Sequence, residues 1–164
     1  MAIWQFAVGL IPREWAELEG NSSEMLYDGD GYNNMSMAWR QNQPTANLIA
    51  LISQVLPPTK SWSDEMRIWG DQTKSDIQVS YEGNNVESVM ACIDTRYDTV
   101  HICSEIVELA RVLDCCFFLL ATRSIIMVDA MVLSTAVHGS TAARFSAAPR
   151  EFIEQLSPSS SSES

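Results

Sequence analysis

The sequence lacks the short motifs that mark common catalytic and phosphate-binding sites. It contains no G-x-S-x-G nucleophile elbow, and neither G-x-G-x-x-G nor G-x-x-x-x-G-K-[ST], the loops that cradle phosphates. It has two histidines, His101 and His138, and neither has a second histidine or cysteine at the spacing of a metal ligand on its own helix. These absences favour a protein that is not an enzyme and that carries no cofactor and no metal.

Basic residues are scarce. Ten lysines and arginines stand against 21 aspartates and glutamates, which gives a net charge of −11 at pH 7. A surface of that sign is repelled by nucleic-acid backbones and by anionic membranes, so neither is expected as a partner. The charge is compatible with a basic protein partner, and equally with a surface that only keeps the chain in solution.

Long apolar runs and paired cysteine motifs are absent as well. No stretch reaches the roughly 18 apolar residues of a transmembrane helix, and the apolar start of the chain lacks the basic residues of a signal peptide. The four cysteines, Cys92, Cys103, Cys115 and Cys116, form no C-x-x-C pair and mostly stand where an apolar residue is expected. Buried free thiols are therefore predicted, which indicates a reducing compartment, the cytoplasm.

The stretch from Ile77 to Leu120 carries the clearest structural pattern. Alternating apolar and polar residues on either side of Gly83-Asn84 predict a β-hairpin over residues 77–94. Its second strand is apolar on both faces, which predicts a central place in a sheet. Apolar residues at spacings of three and four between 102 and 113 predict an amphipathic helix, and the apolar run Cys115–Leu120 predicts a buried strand.

Shorter elements are predicted on both sides of this stretch. Strands are expected over Ile3–Leu10, Met66–Gly70 and Ile125–Val128, and helices over Arg13–Leu18, from Thr45 to Val55, from Asp129 to Val137 and from Pro149 onward. The predicted fold is a single α+β domain over residues 1–156. It has an antiparallel sheet, a meander plus additional strands, with helices packed mainly on one face. The serine-rich segment 157–164 is predicted to be a disordered tail.

The first candidate site is the segment 21–43, predicted to be a long surface loop, because the chain from Asn21 to Asn34 is rich in Gly, Asn, Ser and Asp. Asp28-Gly29-Asp30-Gly31 resembles the start of a calcium loop. The EF-hand positions five, six and twelve are, however, tyrosine, asparagine and tryptophan, so an acidic turn is expected instead. Acidic and aromatic side chains on a loop suit a protein-binding patch, and its predicted members are Glu24, Asp28, Asp30, Tyr32 and Trp39.

The aromatic residues of this segment have an alternative interpretation. Four aromatic residues in or beside the segment show no periodic face: Trp15, Tyr27, Tyr32 and Trp39. An equal expectation is that they fold back as a lid over one face of the sheet. The two arrangements make opposite predictions for the exposure of each ring.

A second candidate site is the group Asp94, Arg96, Asp98 and His101, between the hairpin and the amphipathic helix. If the fold brings these side chains into a cleft beside the sheet, they are candidates for a small-molecule binder or an enzyme. The alternative is a solvated turn between strand and helix.

A third hypothesis is a structural homo-oligomer. The late helix carries Met131, Val132 and Val137, and either this helix or an exposed sheet edge would form a symmetric interface, so a homodimer is an alternative assembly.

Four short stretches in the middle of the chain resemble a type of protein. They are Trp62-Ser63, Trp69-Gly70-Asp71, Asp76-Ile77-Gln78-Val79 and Ile93-Asp94-Thr95-Arg96. With them the chain resembles small uncharacterised acidic bacterial α+β proteins of the immunity-protein type, some of which act as immunity partners of toxins. The resemblance covers about the middle half of the chain and rests on structural residues, so it assigns no functional residue. It implies a module of the immunity or inhibitor kind that binds a basic protein.

Overall fold

The fold is α+β and is built on one antiparallel sheet. The computed structural model describes residues 1–156, and the predicted disordered tail, 157–164, lies outside them. The strands are β1 (Gln5–Pro12), β2 (Pro58–Thr59), β3 (Met66–Gly70), β4 (Asp76–Glu82), β5 (Asn85–Asp94), β6 (Cys115–Leu119) and β7 (Ser124–Ile126). They lie in the order β2-β3-β4-β5-β1-β6-β7.

The predicted meander is confirmed. Strands β3, β4 and β5 pair in sequence, and β4 turns into β5 at Gly83, whose φ of 59° lies in the left-handed region that glycine tolerates. β5 lies between β4 and β1, as its two apolar faces predicted. β1 pairs with β5 on one side and β6 on the other, antiparallel to both. β5 and β6 are therefore parallel to each other, and the chain crosses between them.

Seven helices occur in the described part of the chain. They are α1 (Arg13–Leu18), α2 (Ser36–Trp39), α3 (Leu48–Ser53), α4 (Val100–Val112), α5 (Ala130–His138), α6 (Thr141–Ala147) and α7 (Pro149–Leu156). The crossover from β5 to β6 is α4, the predicted amphipathic helix. Asp129 caps the start of α5, where a helix was predicted to begin. Its carboxylate accepts hydrogen bonds from the backbone N–H groups of Met131 and Val132.

Three elements were not predicted: α2, which lies in the segment expected to be a loop, β2 and α6. The two-residue strand β2 begins at Pro58, and a proline is tolerated there because β2 is an edge strand. α6 has no apolar stripe to reveal it, and Ala142 is its one fully buried residue. Its start is set by Ser140, whose hydroxyl accepts the N–H of Ala143 at 3.1 Å.

The expectation that the helices pack mainly on one face is not confirmed. Met35, which precedes α2, lies over Gly9, where an added Cβ would come within 2.6 Å of its sulfur. α3 contacts the opposite face, because the Trp69 indole donates a hydrogen bond to the Ser53 hydroxyl. Strand register places Trp69 and Gly9 on opposite faces. Each face of the sheet therefore has a helical segment over it.

One buried carboxylate interrupts the apolar interior. Asp76 is 2% exposed, one of its oxygens accepts a hydrogen bond from the Gln78 amide, and the other has no partner among the described residues. Burial raises the pKa of Asp76, because a desolvated carboxylate is less stable when charged. Cys92 lies opposite it on β5, and burial raises the pKa of that thiol to about 12.

This burial predicts a pH-dependent contribution to stability. Because the folded-state pKa of Asp76 exceeds its unfolded value, the protonated group stabilises the fold fully below the unfolded pKa. This contribution is lost as the pH rises through the folded pKa. Urea unfolding of the wild type and of Asp76→Asn between about pH 4 and pH 8 tests this. The free energy of unfolding of the wild type, relative to the variant, should fall as the pH rises.

The matched control is Val79→Ala, a buried change on the same strand that removes no titratable group. Its difference from the wild type should not depend on pH. A wild-type advantage over Asp76→Asn that is constant or grows with pH would contradict the assignment.

Candidate functional site

The segment 24–34 is an ordered hairpin rather than an open loop. A 3-10 turn, Glu24–Leu26, leads into an isolated bridge between Tyr27 and Asn33. The backbone N–H of Asn34 donates to the carbonyl of Leu26 at 2.6 Å and closes the hairpin. Residues 27–33 therefore project as a turn whose two ends are held together.

Asp28 organises the tip of this turn. One oxygen of its carboxylate accepts the backbone N–H groups of both Asp30 and Tyr32, each at 2.9 Å. Gly31 beside them has a φ of 83°, which a residue with a side chain rarely adopts. Asp28 is therefore a positioning residue as well as a surface charge.

The base of the turn is fixed to β6 and to the segment after it. Leu26 is fully buried, and the Tyr27 ring packs edge-on against Phe118 with 5.8 Å between the centroids. The Arg123 guanidinium lies over the Tyr27 ring, 4.5 Å from its centroid, and the Ser23 hydroxyl donates to the Arg123 carbonyl. These contacts tie the turn to a part of the chain about 90 residues away.

Trp39 does not belong to the binding patch that the sequence predicted. It is 1% exposed, and its indole N–H donates to the carbonyl of Leu10 at 3.1 Å. Trp15 is buried too, so for these two rings and for Tyr27 the fold-back alternative describes the structure. A tryptophan in a polar segment was buried here because α2 lies against β1 and β5. Tyr32, 71% exposed, is the ring that remains at the surface.

The surface that remains is acidic and carries exposed apolar side chains. Between residues 14 and 30 there are six carboxylates and no lysine or arginine. Glu24, Asp28 and Asp30 are all exposed, as predicted for the patch. Leu18 and Met25 are also exposed, although the predicted patch did not include them. The sequence did contain a signal for the exposure of Met25: it is an apolar residue in a polar segment that has neither a helical nor a strand period.

The second candidate group is partly brought together. Asp94, Asp98 and His101 line one open groove of about 490 Å³, between the end of α3, the β3–β4 turn and the start of α4. Its other walls include the apolar Leu56 and Ile102. Arg96 does not line the groove; it holds the buried Asp94 through two hydrogen bonds of 2.9 and 3.0 Å.

Arg96 holds together the residues beside one wall of this groove. Its guanidinium stacks 4.2 Å over the Trp4 ring and donates to the carbonyl of Thr73, which also accepts the Trp4 indole N–H. Both oxygens of Asp94 are thereby engaged, so Asp94 is not a free acid or base. Hydrogen bonds from the hydroxyl and N–H of Thr73 lower the pKa of Asp71, which also lines the groove.

Neither a metal cluster nor a membrane-spanning helix is found in residues 1–156: no three His, Cys, Asp or Glu side chains gather closely enough to hold an ion, and no helix is long and apolar enough to cross a bilayer. All four cysteines are free and buried. Comparisons of the chain with protein-family models, with curated proteins and with solved structures find no match.

The role of Asp28 predicts a local effect of its removal. Asp28→Ala takes away the acceptor of two backbone N–H groups, so the amides of Asp30 and Tyr32 should exchange with solvent roughly fivefold faster or more. Amide hydrogen exchange followed by NMR measures this directly. Asp30→Ala is the control, because it removes a neighbouring carboxylate and leaves both hydrogen bonds in place. Equal exchange rates in the two variants would refute the positioning role.

Proposed function

We propose that this protein is a non-enzymatic protein-binding module of the immunity or inhibitor kind, which acts in the cytoplasm on a basic protein partner. The proposed binding surface is the acidic turn around Glu24, Asp28, Asp30 and Tyr32. The observation that carries the proposal is that this turn is held in one conformation by its own hydrogen bonds while its tip stays exposed.

A pre-ordered loop reduces the cost of binding. Ordering a flexible loop at an interface costs free energy that is subtracted from the affinity. Here the Asp28 carboxylate, the Tyr27–Asn33 bridge and the edge-on packing of Tyr27 against Phe118 order the turn before any partner arrives.

The charge of the surface supports a basic partner. The carboxylates of α1 and of the turn lie in a stretch without a lysine or arginine, in a chain of net charge −11. Arg13, just before this stretch, is already paired with Glu17 and Asp114. Such a field speeds the approach of a positive protein and disfavours nucleic acids and anionic membranes.

The exposed apolar side chains supply binding affinity that surface charge alone does not. Surface ion pairs contribute little net affinity, whereas tyrosine and methionine are enriched at protein interfaces. Tyr32 at the tip and Met25 in the 3-10 turn are both exposed within the same acidic segment. The combination gives an apolar anchor with a charged surround. The four buried free thiols are consistent with a reducing compartment.

The first test is capture of the partner with the intact protein, at about 0.05 M and about 0.5 M salt, followed by mass spectrometry and a direct affinity measurement. A basic protein should bind and should be weakened at high salt. Tyr32→Ala should lower its affinity about tenfold or more, and the double variant Glu24→Lys, Asp30→Lys should lower both affinity and salt dependence.

The matched control is Glu151→Lys, Glu154→Lys, the same change in charge on the exposed side of α7. It should retain most of the affinity. If both double variants weaken binding equally, only net charge matters and the turn is not the binding surface. If the Tyr32 and Glu24/Asp30 variants bind as the wild type does, the proposal is wrong.

A second candidate function is a small-molecule site in the groove that Asp94, Asp98 and His101 line. The groove has apolar walls at Leu56 and Ile102, and its volume of about 490 Å³ is typical of ligand sites. Its lining carries three carboxylates, Asp71, Asp94 and Asp98, against one lysine, Lys74. Asp98 uses one oxygen to accept the N–H of Val100 at 2.9 Å, at the start of α4. This composition favours a small organic cation with an apolar body over an anion.

This candidate is tested with simple alkyl and aryl amines, by ligand-observed NMR and thermal shift. Asp98→Asn keeps a side-chain oxygen at the start of α4 and removes the charge, so it should weaken amine binding about tenfold. Asp64→Asn, an exposed carboxylate outside the groove, should not weaken it. If no amine binds, or if both variants lose affinity alike, the groove is not such a site.

A further inference from the structure

The strand β7 forms one edge of the sheet, and its outer side is open. β7 pairs with β6 over Ser124–Ile126, and no other strand of the described chain lies beside it. Every second residue of an edge strand points its backbone N–H and C=O groups away from the neighbouring strand. No backbone hydrogen bond from another segment of residues 1–156 reaches residues 124–128. The outward groups of β7 are therefore available to a further strand.

Apart from its short length, this edge lacks the features that usually protect an exposed strand. Residues 124–128, SIIMV, contain no charged residue and no proline. Met127 is 80% exposed, and both isoleucines are half-buried. At the opposite edge of the sheet, β2 begins with Pro58, which has no N–H group, and Lys60 follows directly after it. The β2 edge is therefore protected, whereas the β7 edge can accept another strand.

Carboxylates lie near both ends of this edge. At its start, the carbonyl of Arg123 accepts the Ser23 hydroxyl, which ties the edge to the acidic turn that begins at Glu24. At its end, the exposed Asp129 follows β7 by three residues and caps α5. Three residues span at most about 10 Å, which is about one Debye length. The edge is therefore apolar in its middle and acidic toward its ends.

The basic residues near this edge are engaged with groups of the chain itself. The Arg123 guanidinium lies over the Tyr27 ring, within the acidic turn. Met127 borders a cavity of about 310 Å³ that Arg13 and Arg111 also line. Their carboxylate partners are Glu17 and Asp114 for Arg13, and Glu108 for Arg111. Because three carboxylates pair with these two arginines, the surroundings of the edge stay negative.

We propose that β7 pairs with an extended segment of the basic partner, which adds one strand to the sheet. This inference rests on the proposed function, because it names the part of that partner that binds. Main-chain hydrogen bonds to β7 supply the pairing, and apolar side chains in the middle of the segment pack beside Met127 and the two isoleucines. Basic side chains at the two ends of the segment then lie near the acidic turn and Asp129.

Charge selects this occupant over a second copy of the chain. The homo-oligomer expected from the sequence uses either α5 or an exposed sheet edge, and Val137 of α5 is 1% exposed, so it belongs to the core and not to an interface. A two-fold pairing of β7 with its own copy brings Asp129 of each chain toward the acidic turn of the other. Like charges then repel at both ends, whereas a basic segment is attracted at both ends.

The test uses the full chain and a synthetic peptide of about eight residues, with alternating valine and threonine between paired lysines. In an NMR titration the peptide should bind saturably, and amides within residues 124–128 should exchange with solvent about tenfold more slowly in the complex. The control peptide has methylated valine and threonine nitrogens. It keeps every side chain and charge but cannot donate to a strand, so it should bind about tenfold more weakly or worse.

Met127→Pro makes the matching change in the protein. Met127 lies just beyond the residues that pair with β6, and its N–H has no backbone partner in the described chain. The proline should therefore keep the circular dichroism and thermal midpoint of the wild type and lower the affinity for the peptide about tenfold. Met127→Ala is the control. It removes the side chain and retains the N–H, so it should bind the peptide more tightly than the proline variant.

The outcomes distinguish this inference from the proposed function. If Glu24→Lys, Asp30→Lys weakens peptide binding but methylation of the peptide and Met127→Pro do not, pairing at β7 is wrong and the acidic turn remains the binding surface. If methylation and Met127→Pro weaken binding and the turn variant does not, pairing at β7 holds and the turn is not the surface. No binding at about 1 mM peptide overturns the inference. A wild-type dimer that Met127→Pro abolishes also overturns it, because the occupant is then a second copy.

Discussion

The fold depends on the burial of β1 between β5 and β6. All eight residues of β1 are buried, and both of its edges are paired. An antiparallel neighbour on each side makes β5 and β6 parallel, so a crossover is required, and α4 provides it. The same strand leaves directly into α1, where the N–H of Arg13 donates to the carbonyl of Asp114 at 2.9 Å. The start of the chain is thus tied to the connection between α4 and β6.

β1 also determines what lies on its open face. Gly9 leaves a depression in which the Met35 sulfur lies, and any side chain there would meet Met35 and Phe118. α2 can approach the strand at this point, and Trp39 reaches the Leu10 carbonyl. The turn between α1 and α2 then packs against β6, where the Tyr27 ring contacts the Phe118 ring. The exposed acidic turn is a consequence of a tightly packed layer beneath it.

The acidic turn carries the property that would select its partner. It has carboxylates around an exposed tyrosine, which favours a positive partner and disfavours a second copy.

Elements with a clear local pattern were predictable from the sequence alone. β4, α1 and the start of α5 at Asp129 lie where predicted, because an alternating strand, a short helix and a cap are encoded by residues within a few positions. β2 and α6 were not predictable, since their formation depends on an edge position and on packing rather than on a periodic apolar face.

The candidate sites divide in the same way. The acidic character of the turn followed from composition, whereas the exposure of Tyr32 was one of two alternatives that the sequence left open. Only the tertiary structure decided that Trp39 is buried, that Asp28 holds two backbone amides, and that Asp94, Asp98 and His101 line one groove while Arg96 does not. The physical reason is how far apart along the chain the interacting residues lie. Sequence determined what neighbouring residues impose on each other, whereas burial and grooves arise from contacts between residues tens of positions apart, such as Trp39 with Leu10.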